Sequence, residues 1–295
     1  DPGYAMAWGY LSYARCVMMI FSSLGEAGTP TIAAMERALA LDPGQSEALT
    51  VKALMSQLMD HDWEAAGQLY KRAIAANQSG YAISNYALLY LQFINQQRHA
   101  IELYANFEKL DPLHAGYKST LAGLLHFAGN VDEAILKARE SIQLKPGHML
   151  AINYLVLGYT DTNDTVALDS LLNRIPPEVA AMPEIKSLIA RSHAVRGEEA
   201  RARKIYEDLM ASSGSLTPMA LSNTAILAIT LGEIDGSIDL MERLEKSGSW
   251  VQFWIKLTPQ ENYTVLEHPR YQAILNRMVL DDVSVAALNE KMSFD

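Results

Sequence analysis

Cysteine is almost missing from this sequence: Cys16 stands alone, so no intramolecular disulfide can form and no CxxC metal site is available. Cation is also in deficit, with 24 Lys and Arg against 34 Asp and Glu and a formal net charge of -10. That balance disfavours nucleic acid or an anionic membrane as a partner of this region, because phosphate binding needs a concentrated Lys/Arg face. A neutral or basic protein or peptide fits better than an acidic one. Long apolar runs are missing too: Val17 to Phe21 and Ala225 to Leu231 fall far short of the roughly 18 residues of a spanning helix, and no basic signal-peptide start is visible. The seven histidines (His61, His99, His114, His126, His148, His193 and His268) form no HExxH and have no Cys partner at metal-ligand spacing. No Gly-rich phosphate loop, GxSxG elbow or kinase signature occurs. No catalytic residue, metal or cofactor is therefore expected, and the remaining alternative is an enzyme whose pocket no motif marks. Cys16, between apolar neighbours, reads as a small buried hydrophobe, and the thirteen Met residues, among them Met18, Met19, Met55 and Met59, read as core filling before adaptable surface. His61-Asp62 reads as a solvated turn before Trp63. The compartment stays open between cytosol, which is favoured, and periplasm.

What the chain does have is a period. Ala66, Ala100, Ala134, Leu168 and Ala202 follow one another at intervals of about 34 residues, and Tyr70, Tyr104, Ala138, Leu172, Tyr206 and Leu240 repeat four residues later. In the stretch Ala115 to Pro146, Leu121, Ala122 and Leu125 share one face of a first helix, which ends at Phe127-Ala128-Gly129-Asn130. Gly and Asn tolerate the left-handed backbone that closes a helix. A second helix begins at Asp132-Glu133, acids that suit its N-terminal dipole, turns Ala134, Ile135, Ala138 and Ile142 inward, and stops at Pro146. Gly197 and Gly232 close other first helices in the same way.

These units predict an all-α right-handed superhelix of about seven helix pairs over residues 1–249, with approximate units 1–43, 44–78, 79–112, 113–146, 147–177, 178–217 and 218–249. The first carries extra residues around Ser22 to Pro30, and Ile175-Pro176-Pro177 breaks the second helix of the fifth early. Residues 250–295, with Trp250, Trp254, Leu257, Tyr263 and Leu266, predict a helical cap for the last apolar face.

Period, helix pairing and terminators resemble the tetratricopeptide repeat family across nearly the whole chain. The ending His268-Pro269-Arg270-Tyr271-Gln272-Ala273-Ile274-Leu275 and the opening Asp1-Pro2-Gly3-Tyr4-Ala5-Met6-Ala7-Trp8 also resemble the C-terminal repeat regions of bacterial multidomain regulators, including winged-helix transcriptional regulators and nucleotide cyclases. That resemblance implies a fragment of a longer protein, with a DNA-binding or cyclase domain before residue 1 and a sensing, docking or oligomerising role for this region.

The resemblance further implies that first helices line a concave groove, so their outward residues are the candidate contacts. One column is Asn85, Ser119, Asn153 and Ser187, with Asn223 near its continuation; a second is Leu89, Gly123, Leu157 and Arg191; a third begins Gln92 and His126. Asparagine, with one acceptor and two donors, can grip a peptide backbone without reading its side chains, and family members that use an asparagine ladder exist. The alternative is that these small polar residues merely solvate an exposed face. The family's Lys/Arg/Asn carboxylate clamp lacks its basic members, because only Arg191 is cationic in these columns. Leu89, Phe93, Phe127 and Leu157 suggest a partly apolar groove, although Phe93 and Phe127 fit packing between first helices better.

Overall fold

The structure, a computed structural model, describes residues 2–22, 28–77, 80–246 and 264–292. Trp250 to Tyr263 of the expected cap, the 249/250 boundary, the 78/79 boundary and residues 23–27 of the first unit's insertion lie outside the described residues. Among these residues there is no strand. Helices succeed one another as hairpins: α1 (Ala5–Ser22) with α2 (Gly28–Leu41), α3 (Ser46–Leu58) with α4 (Trp63–Ala76), and α5 (Gly80–Asn85), continued by a π-helix Tyr86–Leu91, with α6 (Gln97–Glu108). Next come α7 (Ala115–Phe127) with α8 (Val131–Leu144) and α9 (Met149–Asp161) with α10 (Thr165–Leu172). A single turn, α11 (Pro177–Ala180), precedes α12 (Pro183–Val195) with α13 (Glu199–Ala211) and α14 (Pro218–Thr230) with α15 (Ile234–Lys246). The chain ends in α16 (Thr264–Glu267), α17 (Pro269–Arg277) and α18 (Asp282–Lys291).

Local chemistry fixes these boundaries. Side chains of Gln45, Asp62, Asp164 and Thr217 accept from the third residue onward and cap α3, α4, α10 and α14, while proline opens α12 and α14, where its missing N–H costs nothing. The turn inside the six later hairpins repeats as a backbone motif. His61, Asn95, Gly129, Asn163, Gly197 and Gly232 all have positive φ, between 53° and 83°. The amide that follows each of the last four returns to the first helix, as Asn130 N does to Leu125 O at 2.9 Å and Glu198 N to His193 O at 2.9 Å. His61 is thus a helix terminator in left-handed backbone, more constrained than a solvated turn residue. The small-residue column is buried throughout at the helix crossings, from Ala66 to Ala202.

The chain divides into two compact units, Asp1–Phe107 with Glu245–Trp250 and Gln272–Asp295, and Glu108–Leu244 with Val251–Tyr271. In the first unit, Tyr70, Tyr86 and Tyr90 form an aromatic core, with Tyr86 and Tyr90 stacked at 5.3 Å. The tail packs on the second and third hairpins: the Trp63 indole donates to Met278 O at 2.8 Å, Asn289 donates to Ile94 O at 2.9 Å, and Lys291 pairs with Glu64 at 3.3 Å. In the second unit, first helices stack on first helices, α7 on α9, α9 on α12 and α12 on α14. Arg270 there joins the last hairpin through Asp239 at 2.7 Å and Glu242 at 3.0 Å.

Candidate functional site

Asn85, Leu89, Gln92, Ser119, His126, Asn153, Leu157, Ser187, Arg191 and Asn223 are all buried, Asn85 being the most exposed at 8%. The expectation that they face solvent along an open groove therefore does not hold. The reason is a set of contacts between first helices two hairpins apart. In the first unit, Asn85 Nδ2 on α5 donates to the Tyr13 hydroxyl on α1 at 2.8 Å, and Tyr81 meets Tyr13 and Tyr10 ring to ring at 4.6 and 6.2 Å. In the second, Asn223 Nδ2 on α14 donates to Asn153 Oδ1 on α9 at 3.0 Å, and to Glu184 O on α12 at 3.0 Å. In each unit these contacts join first helices that are separated by a whole hairpin.

The serines are spent locally: Ser119 donates to Gly116 O at 2.9 Å and Ser187 to Glu184 O at 3.0 Å. At the other end of α9, Arg191 Nη2 binds Asp161 Oδ1 at 2.7 Å, and His126 Nε2 lies 3.5 Å from Asp161 Oδ2. Burial, with Arg191 acting in the same sense, holds the His126 imidazole below its ordinary pKa against the opposing pull of Asp161. The imidazole is therefore held neutral, and the cationic member of the column is already neutralised.

Several polar atoms of these residues have no hydrogen-bond partner among the described residues. They are Asn153 Nδ2, Asn223 Oδ1, Arg191 Nε and Nη1, and both ring nitrogens of His126; in the first unit, both side-chain amide atoms of Gln92 are in the same position. A buried donor or acceptor left unpaired costs about 1–3 kcal/mol, and others, such as Tyr86 Oη and Ser237 Oγ, belong to residues outside this set. Tyr13, Asp161 and Glu184 join these contacts and escaped the sequence reading. Only Asp161, four residues beyond Leu157 in its column, carried a periodic signal.

Phe93 and Phe127 are buried, as packing residues should be. Cys16 is buried and its thiol pushed up to about 12 by burial, which leaves it inert. Met18 on α1 and Met59, just past the end of α3, are exposed, contrary to a core role. No helix among the described residues is long and apolar enough to cross a membrane, and no group of three or more His, Cys, Asp or Glu could hold a metal ion.

No protein-family model matches the sequence, and no curated protein matches it. Solved structures do. Yeast Tom70 is similar over 90% of this chain and 58% of its own, at 14% identity and a TM-score of 0.52. A tetratricopeptide repeat protein from Parabacteroides merdae is similar over 83% of this chain and 97% of its own, at 12% identity and a TM-score of 0.47. Pseudomonas aeruginosa pilF is similar over 85% and 98%, at 17% identity and a TM-score of 0.34. The succession of hairpins, the turn that recurs from His61 to Gly232 and the likeness to Tom70 make the fold an all-α solenoid of tetratricopeptide type.

Proposed function

We propose that this chain is a non-catalytic scaffold that receives a protein or peptide segment on the inner face of its first helices. The observation that carries the reading is the set of unpartnered polar atoms there, above all Asn153 and Asn223. The two amides are already joined through Asn223 Nδ2 and Asn153 Oδ1, which leaves a free donor on one and a free acceptor on the other. A peptide backbone offers the complementary acceptor and donor in each unit. Opening the single cross-face bond costs on the order of 1 kcal/mol, less than two new bonds return. Apolar Leu157 beside them supplies contact area, and the net charge of -10 favours a neutral or basic segment.

The resemblance of the opening and closing motifs extends this reading: the scaffold would be the docking or sensing part of a larger bacterial regulator with an attached DNA-binding or cyclase domain, or its oligomerisation element. The test begins with peptides selected against the whole chain from a random display library. Asn153→Ala and Arg191→Ala should each weaken the selected peptides about tenfold while helical circular dichroism stays unchanged. Peptides that bind both variants as tightly as the parent would refute the assignment.

A further inference from the structure

The second unit has a cleft on the side of its second helices that the inner-face reading does not use. Its origin is legible in the sequence. α8 runs for 14 residues but its counterpart α10 for only 8, a difference of about 9 Å in length at 1.5 Å per residue. Pro176 and Pro177 prevent the helix from continuing. The wall that a full-length α10 would have covered is left open as two adjoining cavities of about 370 and 240 Å³, which share Ile142, Gln143, Leu171 and Arg174. The larger is within the size range of small-molecule sites.

The chemistry of the walls is divided. Leu155, Leu171, Ile142 and Ile152 supply apolar surface. Arg139 of α8 and Arg174, just past the end of α10, both line the larger cavity, together with Tyr159 of α9. Both guanidiniums are exposed, and neither makes an ion pair with another described residue; Arg174 donates only to Ser170 O at 3.0 Å. Asp164, the one carboxylate in the lining, is held by the Ala167 amide as the cap of α10. Two uncompensated cations at an apolar cleft are unusual in a chain of net charge -10, and both act on the Tyr159 hydroxyl in the sense that favours its ionised form, against the burial that raises its pKa.

We propose that this cleft binds a small amphipathic acid, its carboxylate held between Arg139 and Arg174 and its hydrocarbon tail laid along Ile142, Leu155 and Leu171. Arginine suits a carboxylate through its forked N–H donors, while the apolar wall requires a chain or ring that a simple inorganic anion lacks.

Decanoate below its micelle concentration serves as the probe, titrated calorimetrically into the whole chain, with decanol and decylammonium as controls. The expected result is one decanoate per chain, bound about tenfold more tightly than decanol and with no measurable binding of decylammonium. Arg139→Gln with Arg174→Gln should reduce decanoate to the affinity of decanol. Ala167→Trp, which fills the cleft from a half-buried position on α10, should abolish binding of both while the melting curve stays unchanged. Equal affinity for the acid and the alcohol, several acids per chain, or full decanoate binding by the arginine double variant would each overturn the proposal. The arginine variants change exposed side chains only, so they remain decisive even if Ala167→Trp unfolds. Peptide binding to the inner face is measured separately, and its outcome leaves this one untouched.

Discussion

Asn223 reaches back across 70 residues to place its Nδ2 3.0 Å from Asn153 Oδ1, joining two first helices that are separated by a complete hairpin. The same amide also holds Glu184 O at 3.0 Å. Asn223 is therefore a strut between first helices. Asn223→Ala removes both bonds and strands buried acceptors, an expected loss of about 2–3 kcal/mol, read as a lower urea midpoint. Asn223→Asp should cost more, because a carboxylate has no donor to offer two oxygens that already accept. An unchanged midpoint for both would mean that the contact is not formed in solution.

Glycines on the helix faces separate rigid from yielding contacts. A Cβ at Gly123 would overlap the ring and hydroxyl of Tyr154, which is buried to 1% exposure and has nowhere to move. Gly123→Ala should destabilise by about 1–3 kcal/mol despite its better helix propensity. At Gly236 the one overlap of an added Cβ would be with the Tyr206 hydroxyl, the tip of a half-buried side chain. Gly236→Ala should be close to neutral, the gain of up to about 1 kcal/mol in propensity offsetting the shift of that tip. Thermal melts of the two variants side by side check the contrast.

Four described non-glycine residues sit in left-handed backbone where glycine would be at ease, and two of them are neither Asn nor Asp. Val279, between α17 and α18, has φ 56° with a β-branched side chain, and His61 has φ 53°. Replacing Val279 by Gly should stabilise by about 1 kcal/mol, the steric cost of that conformation less the extra chain entropy of glycine. His61→Gly should act in the same direction and more weakly. A fall in stability at either position would show that its side chain contributes more than its backbone costs.

Acid should weaken the fold before the carboxylates titrate. Burial pushes His126, His148 and His193 below the ordinary imidazole value, by desolvation first in each case. A depressed native pKa means that the unfolded chain takes up the proton first. The stability that these residues contribute is complete above a pH of about 6.5 and is lost as pH falls toward their native values. The melting temperature should therefore decline from pH 7.5 to 5.5, and His126→Gln should flatten part of that slope. At lower pH Glu108 follows. Burial alone would raise its pKa, but hydrogen bonds from Lys118 at 2.8 Å and Lys137 at 3.0 Å outweigh it and hold the group below its ordinary value.

The helix pairs were legible because a crossing such as Ala66 or Ala134 admits only small residues, and that constraint repeats with the hairpin. The turn column was visible at Gly129, Gly197 and Gly232 but hidden at His61, Asn95 and Asn163, where left-handed backbone is carried by other side chains. Spacing placed Asn153 and Asn223 on one face but gave no measure of how close that face comes to the helix two hairpins on. Curvature decides that, through the volumes of many packed side chains. The π-helix from Tyr86 to Leu91 also left no periodic trace, and it shifts Leu89 and Gln92 out of the register that a regular helix would give them. The tail was read as helical, yet nothing in its sequence indicated that the Trp63 indole would hold Met278 O.

Hydrogen exchange on the whole chain, alone and with a selected peptide, tests the central claim most directly. Slower exchange in α9, α12 and α14, lost in Asn153→Ala, is the result expected of an inner-face receptor. Protection confined to second helices such as α8 and α13, or none at all with peptide bound, would contradict it.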